Sequence, residues 1–259
     1  DTRLGRTALR VGDLAAVTEF YRDVVGLSVL AQPDSKSILG AGETPLLVLE
    51  GDESASEGDE SSAGLYHNAF RVPSRAAVGD ALGRIRRNWT LDGASDHTIT
   101  EALYLSDPEG NGVEIYWDFP REQRDYTAGG SPHMGTAPLD FDTVSAAAAG
   151  NAGVPAGTDL GHVHLEVTSL AAFRAFYVGA VGFEVQLEPP SGVFVSAGGY
   201  HHHLGANTFH HRSGPVDGRG LAWFEVLLPD AAALEALRRR FADSQFSATE
   251  TADGIAVSD

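Results

Sequence analysis

A chain of 259 residues, 42% of them hydrophobic, can bury a sizeable core and suits one large or two modest globular domains, so disorder is not expected. Its formal charge of −18, from 36 acidic and 18 basic residues, disfavours nucleic acid and anionic membranes as partners. The absence of cysteine excludes disulfides, thiolate metal sites and cysteine nucleophiles, which leaves His and carboxylate side chains to hold any metal.

Lys36 is the sole lysine, and a surface rich in acid and poor in lysine is expected of a salt-loving source, with an unusually acidic mesophile as the alternative. No apolar run approaches the length of about 18 residues that a membrane-crossing helix needs. The opening segment DTRLGRTALRV lacks the apolar stretch and cleavage site of a secretory signal, so the cytoplasm is the expected location. With no initiator Met and a stop at Val257-Ser258-Asp259, the chain is expected to lack residues at an end.

Taken in order, the elements repeat. One fixed offset superposes Val11 on Val167, Leu14 on Leu170, Phe20-Tyr21 on Phe176-Tyr177, Gly26 on Gly182, Ala41-Gly42 on Ala197-Gly198 and Pro73 on Pro229. A shorter offset superposes Val11 on Val72, so each half divides again. The first half spans 1–120, with modules at 4–50 and 64–120, and the second spans 160–259, with modules at 160–212 and 220–259. The last module runs out before its final strand.

Each module opens on an alternating run such as Thr7–Val11 or His162–Val167, which predicts a half-buried strand, and an amphipathic helix follows. In the third module the helix carries Leu170, Phe173, Phe176 and Tyr177 on one face and ends at Gly182, before strands at Phe183–Leu187, Val193–Ser196 and His201–Leu204. The unit is β-α-β-β-β. The acidic GDESASEGDESSAG reads as a solvated loop, and residues 121–159 read as a linker.

With FYRDVVGL after the first strand and SDPEGNGVEIYWD later, this duplicated module resembles the vicinal oxygen chelate superfamily, which includes glyoxalase I, bleomycin and fosfomycin resistance proteins and extradiol dioxygenases. GASDH, SDPEGNGVEIYWD and GGYHHHLGANT are similar to its catechol 2,3-dioxygenase-like subgroup. The resemblance covers nearly the whole chain and implies an α+β fold in which curved mixed sheets form a metal-binding cup.

The four modules serve as controls for one another. Five residues before the strand-ending position stand Arg6, His67, His162 and Trp223, so only modules two and three place imidazoles there. Module two adds Glu114, an acid among apolar residues on its last strand. His67, His162 and Glu114 make a two-His, one-carboxylate set that leaves positions open on an octahedral metal, which suits Fe(II), with Mn(II) as the alternative. The set requires modules two and three to pair; pairing within each half is the competing arrangement and would part His162 from the others. His164, on the same strand face as His162, is the rival ligand.

The offset that relates the halves turns Pro45-Leu46-Leu47 into His201-His202-His203, and strand parity puts the outer two of that trio on the face opposite His202. The resemblance implies His202 as acid/base and His97 and Tyr104 as hydrogen-bond partners of the substrate oxygens. The activity it implies is Fe(II)-dependent extradiol cleavage of a small catechol-like diol by dioxygen. The alternatives are a glyoxalase-type lyase or isomerase, which wants a closed four-ligand shell, and a metal-free binding or resistance protein. His133, His210 and His211 read as surface residues, and Trp89, Trp117 and Trp223 as cavity lining or ordinary core. A homo-oligomer is compatible with the sequence but not specified by it.

Overall fold

The computed structural model describes residues 1–58, 61–124, 135–215 and 218–259. In the first module β1 (Arg3–Val11) runs into α1 (Leu14–Phe20), which widens to π geometry over Tyr21–Val25, and then into β2 (Ser28–Ala31), β3 (Lys36–Ala41) and β4 (Thr44–Gly51). The second module has β5 (Gly64–Arg71), α2 (Arg75–Asn88), β6 (Gly93–Asp96), β7 (Thr100–Ser106) and β8 (Gly112–Asp118). A short β9 (Ala137–Pro138) and α3 (Phe141–Ala146) precede the third module. That module has β10 (Asp159–Glu166), α4 (Leu170–Phe173) with a π continuation over Arg174–Val181, β11 (Glu184–Leu187), β12 (Gly192–Ser196) and β13 (Leu204–Asn207). The fourth has β14 (Gly220–Leu227), α5 (Ala231–Ala242) and a separate hairpin of β15 (Ala248–Glu250) and β16 (Ile255–Val257).

Local chemistry fixes these boundaries in the same way four times. Asp13, Ser74, Ser169 and Asp230 each accept a backbone N–H three residues on, which starts the helix of each module. The two π segments end on Gly26 and Gly182 at φ +93° and +97°, left-handed conformations that glycine adopts without a Cβ penalty.

Two sheets share this content. One has the order β14-β1-β4-β3-β2 and the other β11-β12-β13-β10-β5-β8-β7-β6-β9. Antiparallel pairing of β5 with β10 joins module two to module three, and that of β1 with β14 joins module one to module four. Each sheet therefore takes one module from each half, the pairing that the ligand set requires. Contacts of β1 with β10 and of β14 with β5 hold the sheets together over a continuous core that includes Leu9, Phe70 and Val163.

Two expectations need correction. His201–Leu204 is not a strand: β13 starts at Leu204, because Gly198 and Gly199 at φ +70° and +72° turn the chain just before the His trio. The described residues from 135 to 159 are more than a linker. Buried Leu139 and Val144 give this stretch core contacts of its own, β9 pairs with β6, and Asp80 of α2 accepts the Gly150 N–H at 2.7 Å.

Candidate metal centre

Register puts the ligands on one face. His162 on β10 stands opposite Ala69 on β5, and Ala69 opposite Glu114 on β8, so the three side chains share a face, with His67 two residues before Ala69. The intervening residues Val163, Phe70 and Ile115 point the other way, into the core.

On that face His67 Nε2 lies 3.1 Å from His162 Nε2, and each lies 3.0 Å from Glu114 Oε2. Donors held at right angles about 2.1 Å from an octahedral cation stand about 3.0 Å apart, so the triangle fits one divalent metal. Hydrogen bonding alone satisfies the triangle poorly. If both imidazoles donate to the carboxylate, two N–H groups oppose each other; if one accepts from its neighbour, its lone pair faces the carboxylate. Burial drives the His162 imidazole down to about 4, which keeps it neutral at pH 7. Burial opposes ionisation of Glu114 as well, but His162 and His67 outweigh it and hold the carboxyl well below its usual range. Neutral imidazoles and an ionised carboxylate are the forms that bind metal.

The triad lies in a cavity of about 610 Å³ that His202, His97, Tyr104 and His164 also line. The ring of His202 sits 4.1 Å from that of His162, centroid to centroid. Behind it a chain runs outward. His202 Nδ1 lies 2.8 Å from His201 Nδ1, and His201 Nε2 lies 2.9 Å from Asp118 Oδ1. Although burial opposes it, hydrogen bonding to His201 and the charges of Arg124 and Arg71 hold the Asp118 carboxyl at about 2, so Asp118 only accepts. His201 therefore carries its proton on Nε2. With His201 donating from Nε2, its Nδ1 is placed to accept from His202 Nδ1, an arrangement that leaves His202 Nε2 unprotonated. Burial keeps His202 well below the usual imidazole value.

Across the cavity, His97 Nδ1 donates to the Gly135 carbonyl at 3.0 Å, and His97 Nε2 stands 2.9 Å from the Tyr104 hydroxyl. That hydroxyl is also 3.3 Å from Glu114 Oε1, and burial keeps it protonated. His97 and Tyr104 thus spend their polar atoms on each other and on the triad carboxylate.

All six side chains singled out from the sequence, His67, His97, Tyr104, Glu114, His162 and His202, meet at this cavity. His164 lines it too but stands outside the triad. His201 and His202 both reach it, since parity does not govern a turn, while His203 receives the Ala197 N–H at 3.3 Å. None of the tryptophans lines it. Trp89 donates to the Ser106 carbonyl, Trp117 packs on Phe119, and Trp223 lies under Arg6. His210 and His211 are exposed, and His133 lies outside the described residues. Asp118 was not among the side chains singled out, although an acid four residues after Glu114 falls on the same strand face.

A duplicated β-α-β-β-β chain with two His and one Glu converging in a cup defines a class, and the comparisons place the chain in it. The chain belongs to the Glyoxalase/Bleomycin resistance protein/Dioxygenase superfamily, whose family description matches residues 3–115. It is 37% identical over 268 residues to the catechol-2,3-dioxygenase of Bacillus subtilis (strain 168), covering 100% of this chain and 94% of that protein. It is 31% identical over 160 residues to biphenyl-2,3-diol 1,2-dioxygenase 3 of Rhodococcus globerulus, covering 59% of this chain and 84% of that protein. Among solved structures, a Bacillus subtilis protein described as a dioxygenase superposes with a TM-score of 0.66 at 15% identity, over 97% of this chain and 78% of that one. Glyoxalase I from Zea mays superposes at 0.55 and 16% identity, over 97% and 83%. These two likenesses show the fold.

Proposed function

We propose that this chain is an extradiol dioxygenase that opens a catechol-like aromatic diol with dioxygen, holding Fe(II), or alternatively Mn(II), on His67, His162 and Glu114. The observation that carries the reading is the triangle of donor atoms 3.0 to 3.1 Å apart in the floor of the cavity. Both curated relatives are diol dioxygenases by name. A metal bound there would supply electron transfer between a diol and dioxygen held side by side, removing much of the entropic cost of their meeting.

The remaining steps belong to side chains. His202 Nε2, unprotonated and open to the cavity, accepts the proton of a diol hydroxyl. As it does so, its Nδ1 proton passes toward His201 Nδ1, and the imidazolium that results rests against the Asp118 carboxylate. The same chain returns the proton to the oxygen freed when the ring opens. Tyr104, kept protonated, has one hydroxyl hydrogen, and substrate binding redirects it from His97 and Glu114 to an oxygen of the substrate. The lyase reading has less support, because the described cluster offers three ligands and no second carboxylate. No described helix is long and apolar enough to cross a membrane, and we propose the cytoplasm as the compartment.

The test is anaerobic loading with Fe(II), then catechol and air, followed by the visible absorbance of the yellow semialdehyde product. Wild type should form product. Glu114→Ala and His162→Ala should bind Fe(II) weakly and form none. Tight metal binding without ring cleavage, together with turnover of a hemithioacetal, would transfer the chain to the lyase reading.

A further inference from the structure

Among the imidazoles that line the cavity, the chemistry above leaves His164 without a task. Its ring lies 4.9 Å from that of His67, 5.0 Å from Tyr66 and 5.5 Å from Phe194, and Phe209 closes on Tyr66 at 5.9 Å. This end of the cavity is walled by aromatic rings. The His164 ring lies against the backbone of β13 because Gly205 is opposite: a Cβ there would meet Nδ1 at 3.0 Å and Cγ at 3.1 Å.

The hydrogen bonds around His164 decide which nitrogen carries its proton. Asn207 Oδ1 accepts the Phe209 N–H at 3.0 Å, which fixes the amide and turns Nδ2 toward His164 Nε2 at 3.1 Å. Nε2 therefore accepts, and a neutral imidazole must carry its hydrogen on Nδ1. Among the described residues that Nδ1–H has no partner, and the side chain lines the cavity. The charges of the lining point the same way. It includes Asp92 and Glu114 but no described Arg or Lys, so an anionic substituent on the substrate ring would find no cationic side chain to pair with.

We propose that the aromatic end around His164 is a substituent subsite, in which the His164 Nδ1–H selects diols bearing an uncharged acceptor oxygen, such as methoxy, hydroxymethyl or acyl, over diols bearing an alkyl group or a carboxylate. The proposal rests on the ring-cleaving reading for its substrate class, and on Asn207 and His164 alone for its selectivity. Asn207 is a positioning residue in it, since it acts through the tautomer of His164.

The test compares 4-methylcatechol, 4-methoxycatechol and 3,4-dihydroxybenzoate, as kcat/KM with the Fe(II)-loaded enzyme and as equilibrium binding by calorimetry. Wild type should favour the methoxy compound. His164→Phe should lower the methoxy-to-methyl ratio about three- to tenfold, the effect of one neutral hydrogen bond. His164→Asn, whose amide N–H falls near the position of Nδ1, should restore it. Independently of activity, long-range proton–nitrogen NMR on the metal-free protein should show His164 protonated at Nδ1 and bare at Nε2, with Asn207→Leu giving a mixture. Cleavage of all three diols with a ratio indifferent to His164, preference for the carboxylate, or a proton on Nε2 would overturn the proposal. If no diol is cleaved but the binding ratio still depends on His164, the ring-cleaving reading fails and the subsite stands. If the binding ratio is also indifferent, both fail.

Discussion

Burial has lowered the basicity of four imidazoles in and beside the cavity. His162 and His203 are held at about 4, and His164 and His202 well below their ordinary value, desolvation being the leading cause in each case. An unfolded imidazole titrates near 6.5, so between about 6.5 and 4 the unfolded chain takes up protons that the folded one refuses. The stability these groups lend is full above that range and drains away as the pH falls through it, by up to about 3 kcal/mol for a group held near 4. Asp118 and Glu114 are depressed too, but they act at lower pH, where their unfolded counterparts begin to protonate. Melting of the metal-free protein should therefore be nearly flat from pH 8 to 7 and drop steeply between 6.5 and 4. A flat profile across that window would mean that water reaches these rings. His201 gives a second test at this scale. His201→Phe keeps the ring volume and removes both nitrogens between His202 and Asp118. Metal uptake should persist while kcat falls about ten- to a hundredfold, the usual cost of losing a supporting partner, and the acid limb of its pH profile should move.

At the level of elements, the two halves reuse one device for ending a helix. Arg84 of α2 donates to the Val24 and Val25 carbonyls at 3.3 and 2.8 Å, where the π segment ends at Gly26. Arg240 of α5 does the same for Val178, Gly179 and Ala180, beside Gly182. Arg84 is 3% exposed, whereas Arg240 is open to solvent. Arg84→Met should cost about 2–3 kcal/mol, because it strips the helix-end carbonyls of their donor inside the protein. Arg240→Met should cost less than about 1 kcal/mol, since water can replace the guanidinium. Urea denaturation of the two variants checks the contrast, and equal losses would refute burial as its source. The matching arginines lay at the repeat offset in the sequence, yet nothing in their local pattern gave them a task, since an arginine near a helix end is usually a solvated one. The strands, the capped helices and the imidazoles at equivalent positions were legible because periodicity and duplication are local signals. The His201–His203 turn, the π geometry and the packing of Leu139 and Val144 were not, because each depends on what the rest of the chain brings next to it.

Across the whole molecule, exchange of modules between the halves is what completes the site. His67, Glu114, His97 and Tyr104 come from the first half, and His162, His202 and His164 from the second, so neither half holds the full triad. The long β5–β10 seam also means that each half alone would expose a sheet edge whose backbone groups are paired in the intact chain. A break after Gly157 leaves β9 and α3 with the first half, where they pair with β6 and pack on α2. Residues 1–157 alone should then aggregate or stay partly unfolded and bind Co(II) weakly, and so should residues 158–259 alone. Refolded together, they should rebuild both sheets and recover Co(II) binding, visible as a d–d absorption band, because pairing across the seam is what sets His162 3.0 Å from the Glu114 carboxylate. If 1–157 alone produced the same band at the same Co(II) concentration, His162 would not be a ligand, and the arrangement in which each half closes on itself would have to be reconsidered.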